Sequence, residues 1–379
     1  MAGLYIHIPF CKTKCAYCDF FSIASLQYKE KIVQAICNEI ELQKKYLDDE
    51  LINTVYFGGG TPSVLTIAEL QVILSQIKKY HSLKSDVEIT LEANPDDLDY
   101  EYLKNLQSIG VNRLSIGIQS FIEKHLNLMK RRHSVQKAIE VIGDAQKAGF
   151  NNISVDLIYG LPGLTIEEWI YNLDILLSLN VQHISAYHLT IEKNTLFYKW
   201  HNQKKFELPS DMQSVKQFET LIKKTKEKKF IHYEISNFGL EGFFSKHNSN
   251  YWKNEKYLGL GPSSHSYNLS SRQWNIANVP KYLDAINQGK VPFEIENLTL
   301  NDKYNDYIIT SLRTIWGTDI NKIKEDFGKM YYDYMIEKID GLIKNRLLKK
   351  TQNKIMLSKN GKFLSDRVIE NLLYVNEDR

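Results

Sequence analysis

Long hydrophobic runs are missing from this chain. No stretch approaches the roughly 18–20 apolar residues that a membrane-spanning helix requires, so stable membrane insertion is not expected. Cysteine is scarce, with four in 379 residues, which argues against a disulfide scaffold. A strong excess of one charge is also missing, since the net charge is +3, too mild to mark a nucleic-acid surface. There is no repeat of fixed period and no Pro/Gly/Ser-rich linker. What is present, 43% hydrophobic and 25% charged residues, is ordinary globular composition with length for one large domain and a smaller one. A cleavable leader is not expected, because the first cysteine, at position 11, follows directly on a strand-like stretch, Leu4–Ile8. The expected location is therefore the cytoplasm.

Short β-branched runs alternate with stretches of helical period. The strands expected are Leu4–Ile8, Thr54–Phe57, Val87–Leu91, Arg113–Ile116, Ile153–Leu157 and His183–Tyr187. Between them the helical patterns are Gln27–Lys45, Ile67–Tyr80, Tyr100–Ser108, Val135–Ala148 and Thr165–Leu179. This alternation predicts parallel β/α units. Six strands, where a closed barrel has eight, predict an α/β fold built as an incomplete (βα)6 partial barrel over residues 1–230. Beyond about residue 190 the alternation stops, and Asp211–Lys229 reads as one helix with a solvated lysine face. A connecting region, 231–300, is rich in glycine and aromatics. In 301–379 the pattern is three helices, a hairpin pairing Asn345–Leu348 with Lys354–Leu357, and a helix over Gly361–Asn371, which suggests a small C-terminal winged-helix-like domain. That segment holds 15 Lys and Arg against 12 Asp and Glu, too even a balance for nucleic-acid recognition.

Three of the four cysteines crowd into eight residues as Cys11-x-x-x-Cys15-x-x-Cys18, directly after the first strand and among Phe10, Tyr17 and Phe20. Three thiolates on one loop hold three irons of a [4Fe–4S] cubane and leave the fourth open to an exogenous ligand. A structural zinc site wants four ligands, usually in paired Cys-x-x-Cys units, and no second pair exists. Cys37 stands apart at helical spacing from Val33 and Ile40 and reads as a buried small hydrophobe.

Functional groups of β/α barrels gather at the carboxyl ends of strands. Here those ends carry Gly58-Gly59-Gly60-Thr61-Pro62, Glu92, Gln119 and Asp156. The glycines permit close backbone approach to a ligand, but no Gly-Lys-Ser/Thr follows, so this is not a phosphate loop. Further on, His247-Asn248-Ser249-Asn250-Tyr251-Trp252 combines a histidine, the commonest axial haem ligand, with two flat aromatic faces. The plain alternative is a loop whose aromatics pack on the barrel. Covalent c-type attachment is not indicated, since Cys-x-x-Cys-His is absent.

Taken together, Tyr5 through Cys18, Gly58–Pro62, Glu92-Ala-Asn-Pro95, Gly117–Phe121 and Asp156–Pro162 resemble the oxygen-independent coproporphyrinogen III oxidase family of radical S-adenosylmethionine (SAM) proteins. The resemblance runs from residue 3 to beyond 370. It implies that Cys11, Cys15 and Cys18 carry the cluster, with SAM on its open iron. It further implies that an electron passed to the sulfonium releases a 5′-deoxyadenosyl radical, the electron coming from a donor such as flavodoxin or ferredoxin. By position, Tyr5 is expected beside the cluster. Gly60 and Thr61 are expected at the amino end of SAM, Glu92 and Gln119 at its ribose and amino groups, and Arg131 and Asp156 around the rest. One departure is Leu164, where the family usually has glutamine. Within the family, dehydrogenases resemble Cys-x-x-x-Cys-x-x-Cys-x-Cys, and here the fourth cysteine is replaced by Phe20. The His247–Trp252 segment, Tyr233–Phe238 and Leu258–Pro262 look instead like the HemW-type heme-chaperone branch. That likeness implies heme held through His247, Tyr251 and Trp252, and an acceptor protein that receives it. His188 and His265 are the substitutes if His247 is not the ligand. The competing expectation is oxidative decarboxylation of coproporphyrinogen III, and whether the chain is an enzyme stays open.

Overall fold

In the first strand, β1 (Ala2–Ile8), residues Ala2, Leu4, Ile6 and Ile8 are fully buried in the main apolar core, while Gly3, Tyr5 and His7 alternate with them. A strand's period of two turns this pattern into two unlike faces, one for helices and one for the interior of a curved sheet. The computed structural model describes residues 1–375, so the last four of the expected 301–379 segment lie outside it. After β1 come β2 (Ile52–Gly59), β3 (Leu83–Ala93), β4 (Arg113–Gln119), β5 (Ile153–Tyr159) and β6 (His183–His188). All six are parallel and adjacent in chain order. Helices Lys29–Leu42, Ile67–Tyr80, Tyr100–Ser108, Val135–Lys147 and Ile166–Ser178 connect them, two of them opened by capping boxes, Thr66/Glu69 and Thr165/Glu168. Cys37 is buried beside Val33, Ile36 and Ile40, and its thiol is pushed up to about 11 by burial.

The sheet does not stop at six strands. At the β6 edge it gains β7 (Ile231–His232) and β8 (Asn237–Gly239). At the β1 edge, β9 (Lys256–Leu260) adds in parallel, and β10 (His265–Tyr267), β11 (Ser271–Asn275) and β12 (Phe293–Asn297) continue antiparallel to give twelve strands. Strands of two to five residues show too little alternation to stand out from a sequence rich in turn formers. They account for the glycine- and aromatic-rich stretch after residue 230.

A second apolar cluster gathers Tyr304, Ile308, Leu312, Met335 and Ile355. It joins helices Leu300–Leu312, Ile320–Asp326 and Lys329–Lys344 to a three-stranded sheet of β13 (Thr318–Asp319), β14 (Leu348–Thr351) and β15 (Lys354–Leu357), in the order β13-β15-β14. The hairpin turns on Gln352 and Asn353, so the strand pairing with β15 begins at Leu348 where the sequence suggested Asn345. Lys349 and Lys350, beyond the end expected for the hairpin's first strand, are exposed and lie on it. The helix expected over Gly361–Asn371 is two short ones, Lys359–Phe363 and Ser365–Glu370, parted at Leu364.

Candidate functional site

The loop after β1 is fixed before any ligand arrives. Ile23 N–H donates to Pro9 O at 2.8 Å and Cys11 N–H to Ile23 O at 3.1 Å, while Ala16 donates to Met129 O at 3.0 Å. Phe10 and Ala16 are fully buried, so the three cysteines ride on a loop anchored between and beside them. Gly60 donates to Ile8 O at 2.8 Å, and a Cβ there would lie 2.6 Å from Phe10 O. Only glycine allows β2 to approach the cysteine loop so closely.

The cysteine loop and the carboxyl ends of β2–β6 enclose a cavity of about 410 Å³. Its lining includes Cys11, Cys15 and Cys18 on one side and Glu92, Gln119 and Asp156 on the other, with Gly60, Thr61 and Arg131 between. Thr61 donates to Cys11 Sγ and Arg131 Nη1 to Cys15 Sγ, each at 3.3 Å. Among the described residues no three His, Cys, Asp or Glu side chains converge on a single ion. Burial pushes the Cys18 thiol up to about 11, so its thiolate needs the kind of positive partner that iron supplies.

On the opposite wall nearby cations compensate burial only in part, Arg113 for Glu92 and Arg113 with Arg131 for Asp156. Glu92 accepts from Tyr56 OH at 2.8 Å, yet burial, aided by the charge of Asp156, raises its pKa to about 7. Asp156 accepts from Ser115 at 3.2 Å and is raised by burial to about 6. Arg131 Nη2 reaches Asn94 Oδ1 and Gly117 O, while its buried Nε has no partner. Gln119 has φ of 69°, left-handed for a non-glycine, at an irregularity that ends β4. Two half-buried carboxyls with raised pKa values thus face the cysteines across the cavity, an arrangement that favours a ligand carrying positive charge. Asn94, Tyr56 and Ser115 were not singled out from sequence. The inward-facing parity of Tyr56 with Gly58, and of Ser115 with Gly117, is the signal that marks two of them.

A second cavity, about 540 Å³, opens on the far side of the cysteine loop. Tyr5, Phe21, Tyr251, Tyr257 and Tyr267 give it an aromatic wall, and His7 and His265 line it as well. Its polar side includes Glu255, Arg272 and Asp306, the last from helix Leu300–Leu312. Phe20, 68% exposed, borders both cavities. Tyr5 belongs to this second wall, where its hydroxyl meets His7 Nδ1 at 3.3 Å and its ring stacks on Tyr56.

The His247–Trp252 segment is a short helix, Lys246–Trp252, packed on β1 and β2. Glu88 accepts the backbone N–H groups of Lys246 and His247, each at 3.1 Å, and so caps the helix start. His247 is buried, with Nδ1 on Thr54 Oγ1 at 2.8 Å and Nε2 on Tyr251 OH at 2.7 Å. Thr54 lies toward the amino end of β2 and Glu88 stands opposite it on β3, so this helix closes the barrel floor, opposite the cysteines. Both ring nitrogens of His247 are therefore engaged inside the chain. Trp252 does not line either cavity, whereas Tyr251 reaches the second one. Leu164 is buried, and its carbonyl accepts from Gln217 Nε2 at 2.9 Å.

The Radical SAM superfamily matches residues 5–176 of the chain. The chain is 33% identical over 375 residues to the heme chaperone HemW of Bacillus subtilis, covering 97% of this chain and 98% of that protein. With the heme chaperone HemW of Lactococcus lactis identity is 34% over 370 residues, 97% of this chain and 96% of the relative. Among solved structures, coproporphyrinogen III oxidase (HemN) of Escherichia coli superposes with a TM-score of 0.85, covering 98% of this chain and 90% of that one, at 22% identity. That last likeness is one of fold.

Proposed function

The chain belongs to the HemW family of heme chaperones, and on that premise we propose that it carries heme to an acceptor protein on a radical-SAM scaffold. Cys11, Cys15 and Cys18 hold a [4Fe–4S] cluster in this reading. Gly60, Thr61, Glu92, Gln119, Arg131 and Asp156 surround SAM on its open iron, with Tyr5 on the adjoining wall. When bound, the pair supplies one-electron chemistry at the sulfonium, with an electron donor of the flavodoxin or ferredoxin class. The residues of this chain position SAM: Glu92 and Asp156 face its cationic end, and Arg131 braces Cys15. No helix among the described residues is long and apolar enough to cross a membrane. A cytoplasmic location, where such thiols stay reduced, belongs to the same proposal. So does a winged-helix-like unit over 301–379.

The observation that carries the reading is Phe20. Where a dehydrogenase is expected to place a fourth cysteine, this chain puts an exposed aromatic ring between the cluster cavity and an aromatic cavity. That arrangement offers a flat ligand a surface beside the cluster. Of the segment read as heme-binding, Tyr251 supplies wall to that cavity, and His247 holds Tyr251 in place through its hydroxyl. The test is a paired assay on anaerobically reconstituted protein. Stoichiometric hemin uptake without protoporphyrinogen formation from coproporphyrinogen III supports the carrier. Product formation returns the chain to the dehydrogenase class.

A further inference from the structure

Resting on the carrier reading, we infer that the second cavity is the heme seat and that His265 supplies the iron's protein ligand. A porphyrin needs a flat apolar wall and one side chain whose lone pair reaches its centre. Two histidines line this cavity, and their situations differ. His7 is buried, with Nε2 on Phe21 O at 2.9 Å and Nδ1 facing Tyr5 OH at 3.3 Å. His265 is exposed, and its ring lies near parallel to that of Trp274, centroids 6.0 Å apart. It forms no side-chain hydrogen bond among the described residues, so both nitrogens are open to a metal. Although the side chain is exposed, partial desolvation and the charge of Arg272 lower its pKa, which favours the neutral imidazole, the ligating form.

His265 is also held on a rigid support. The turn after β9 is pinned by the buried Glu39, which accepts from Gly261 N–H at 2.7 Å, Asn275 Nδ2 at 2.6 Å and Tyr282 OH at 2.6 Å. Asn275 also donates to Gly261 O at 2.9 Å. A Cβ on Gly261, whose φ is 97°, would lie 2.5 Å from His7 O, so the turn is locked against the end of β1. The register of β10 against β11 then sets His265 opposite Trp274.

The charges around the cavity orient the ligand. Arg272 is already paired with Asp306 and lies 3.5 Å from Glu296, and Glu255 adds another carboxylate to the wall. Propionates pointed there would meet like charge, so they face solvent and the apolar edge faces Phe21 and Tyr257. One protein ligand on an open seat leaves the other iron face to an acceptor, which suits cargo better than a resident cofactor.

The experiment titrates hemin into the full-length reconstituted protein and its His265→Ala, His265→Met and His247→Ala variants, reading affinity and the Soret and electron-paramagnetic spectra. His265→Ala should weaken binding by at least the roughly ten- to hundredfold that losing even an outer-shell partner costs a metal site. Added imidazole should restore the histidine-type spectrum. His265→Met should still bind, with a changed ligand field, which separates ligation from misfolding. His247→Ala should keep the wild-type ligand field. Wild-type affinity and spectrum in His265→Ala, with both lost in His247→Ala, would overturn the His265 assignment and leave the carrier reading standing. Failure of the wild-type protein to bind hemin at all would overturn both.

Discussion

The two ends of the barrel spend their polar residues differently. At the floor, His247, Thr54, Tyr251 and Glu88 satisfy one another, leaving no lone pair of His247 for a ligand. At the rim, Glu92 and Asp156 are half-buried facing a cavity, and desolvation raises their pKa values more than the charges of Arg113 and, for Asp156, Arg131 lower them. The floor side chains pack on one another, whereas the rim carboxyls face an open cavity with raised pKa values, the arrangement suited to a ligand. The same residue types therefore mean structure at one end and chemistry at the other.

The sharpest break of this comparison is at the cysteines. Changing Cys11, Cys15 or Cys18 to Ser should abolish most iron and sulfide incorporation, measured per monomer after reconstitution. Retention of the cluster in these variants would deny the rim its central role. Next in size, Glu92→Ala or Asp156→Ala should weaken SAM binding about ten- to a hundredfold, since a hydrogen bond to a charged group contributes roughly 1.5–3 kcal/mol. Calorimetry on cluster-loaded protein reads this directly, and unchanged affinity in both variants would make these carboxyls mere strand ends.

At the floor the expected effect is on stability. His247→Ala strands the Thr54 and Tyr251 hydroxyls and should cost about 1–3 kcal/mol in chemical denaturation. It should also alter the pH dependence. Burial, with the charge of Arg113, lowers the folded pKa of His247 to about 3, below the unfolded value of about 6.5. Between those values the unfolded chain binds the extra proton. This contribution is therefore present above about pH 6.5 and is lost as pH falls, by up to about 1.4 kcal/mol per unit. Glu92 runs the other way, because its raised pKa lets the folded chain keep a proton the unfolded chain has released. That contribution is present at low pH and is lost as pH rises through about 7. Denaturation curves of His247→Ala and Glu92→Gln across pH 5–8 should change the slope of stability against pH below about 7 in opposite directions, and a change of the same sign in both would erase the contrast. The smallest effect is expected at Cys37→Ser, which should leave iron and sulfide content near wild type.

The repeating part of this molecule was legible because its signals are long. Strand β1 keeps its apolar alternation over seven residues and β5 over five, and the helices between them hold a 3.6 period over nine to fourteen. Strands β7–β12 were not legible, being two to five residues long and stabilised by neighbours distant in sequence. The cysteine loop could be read because its chemistry is local. The segment at His247 could be noticed but not placed: a histidine with two aromatics reads alike as a ligand loop or a plug. What decides between them is Glu88 and Thr54, which lie some 160 and 190 residues earlier. The second cavity escaped notice for the same reason, since Phe20, Tyr257 and Asp306 meet only in the fold.

The central claim is that the chain holds heme beside its cluster and independently of it. The direct measurement is hemin titration of the folded Cys11→Ser/Cys15→Ser/Cys18→Ser variant next to reconstituted wild type, followed by absorption spectroscopy. The account predicts loss of the broad cluster absorption with a Soret band and hemin affinity close to wild type. A variant that folds like wild type but takes up no hemin would contradict it, because the heme seat would then depend on the cluster itself.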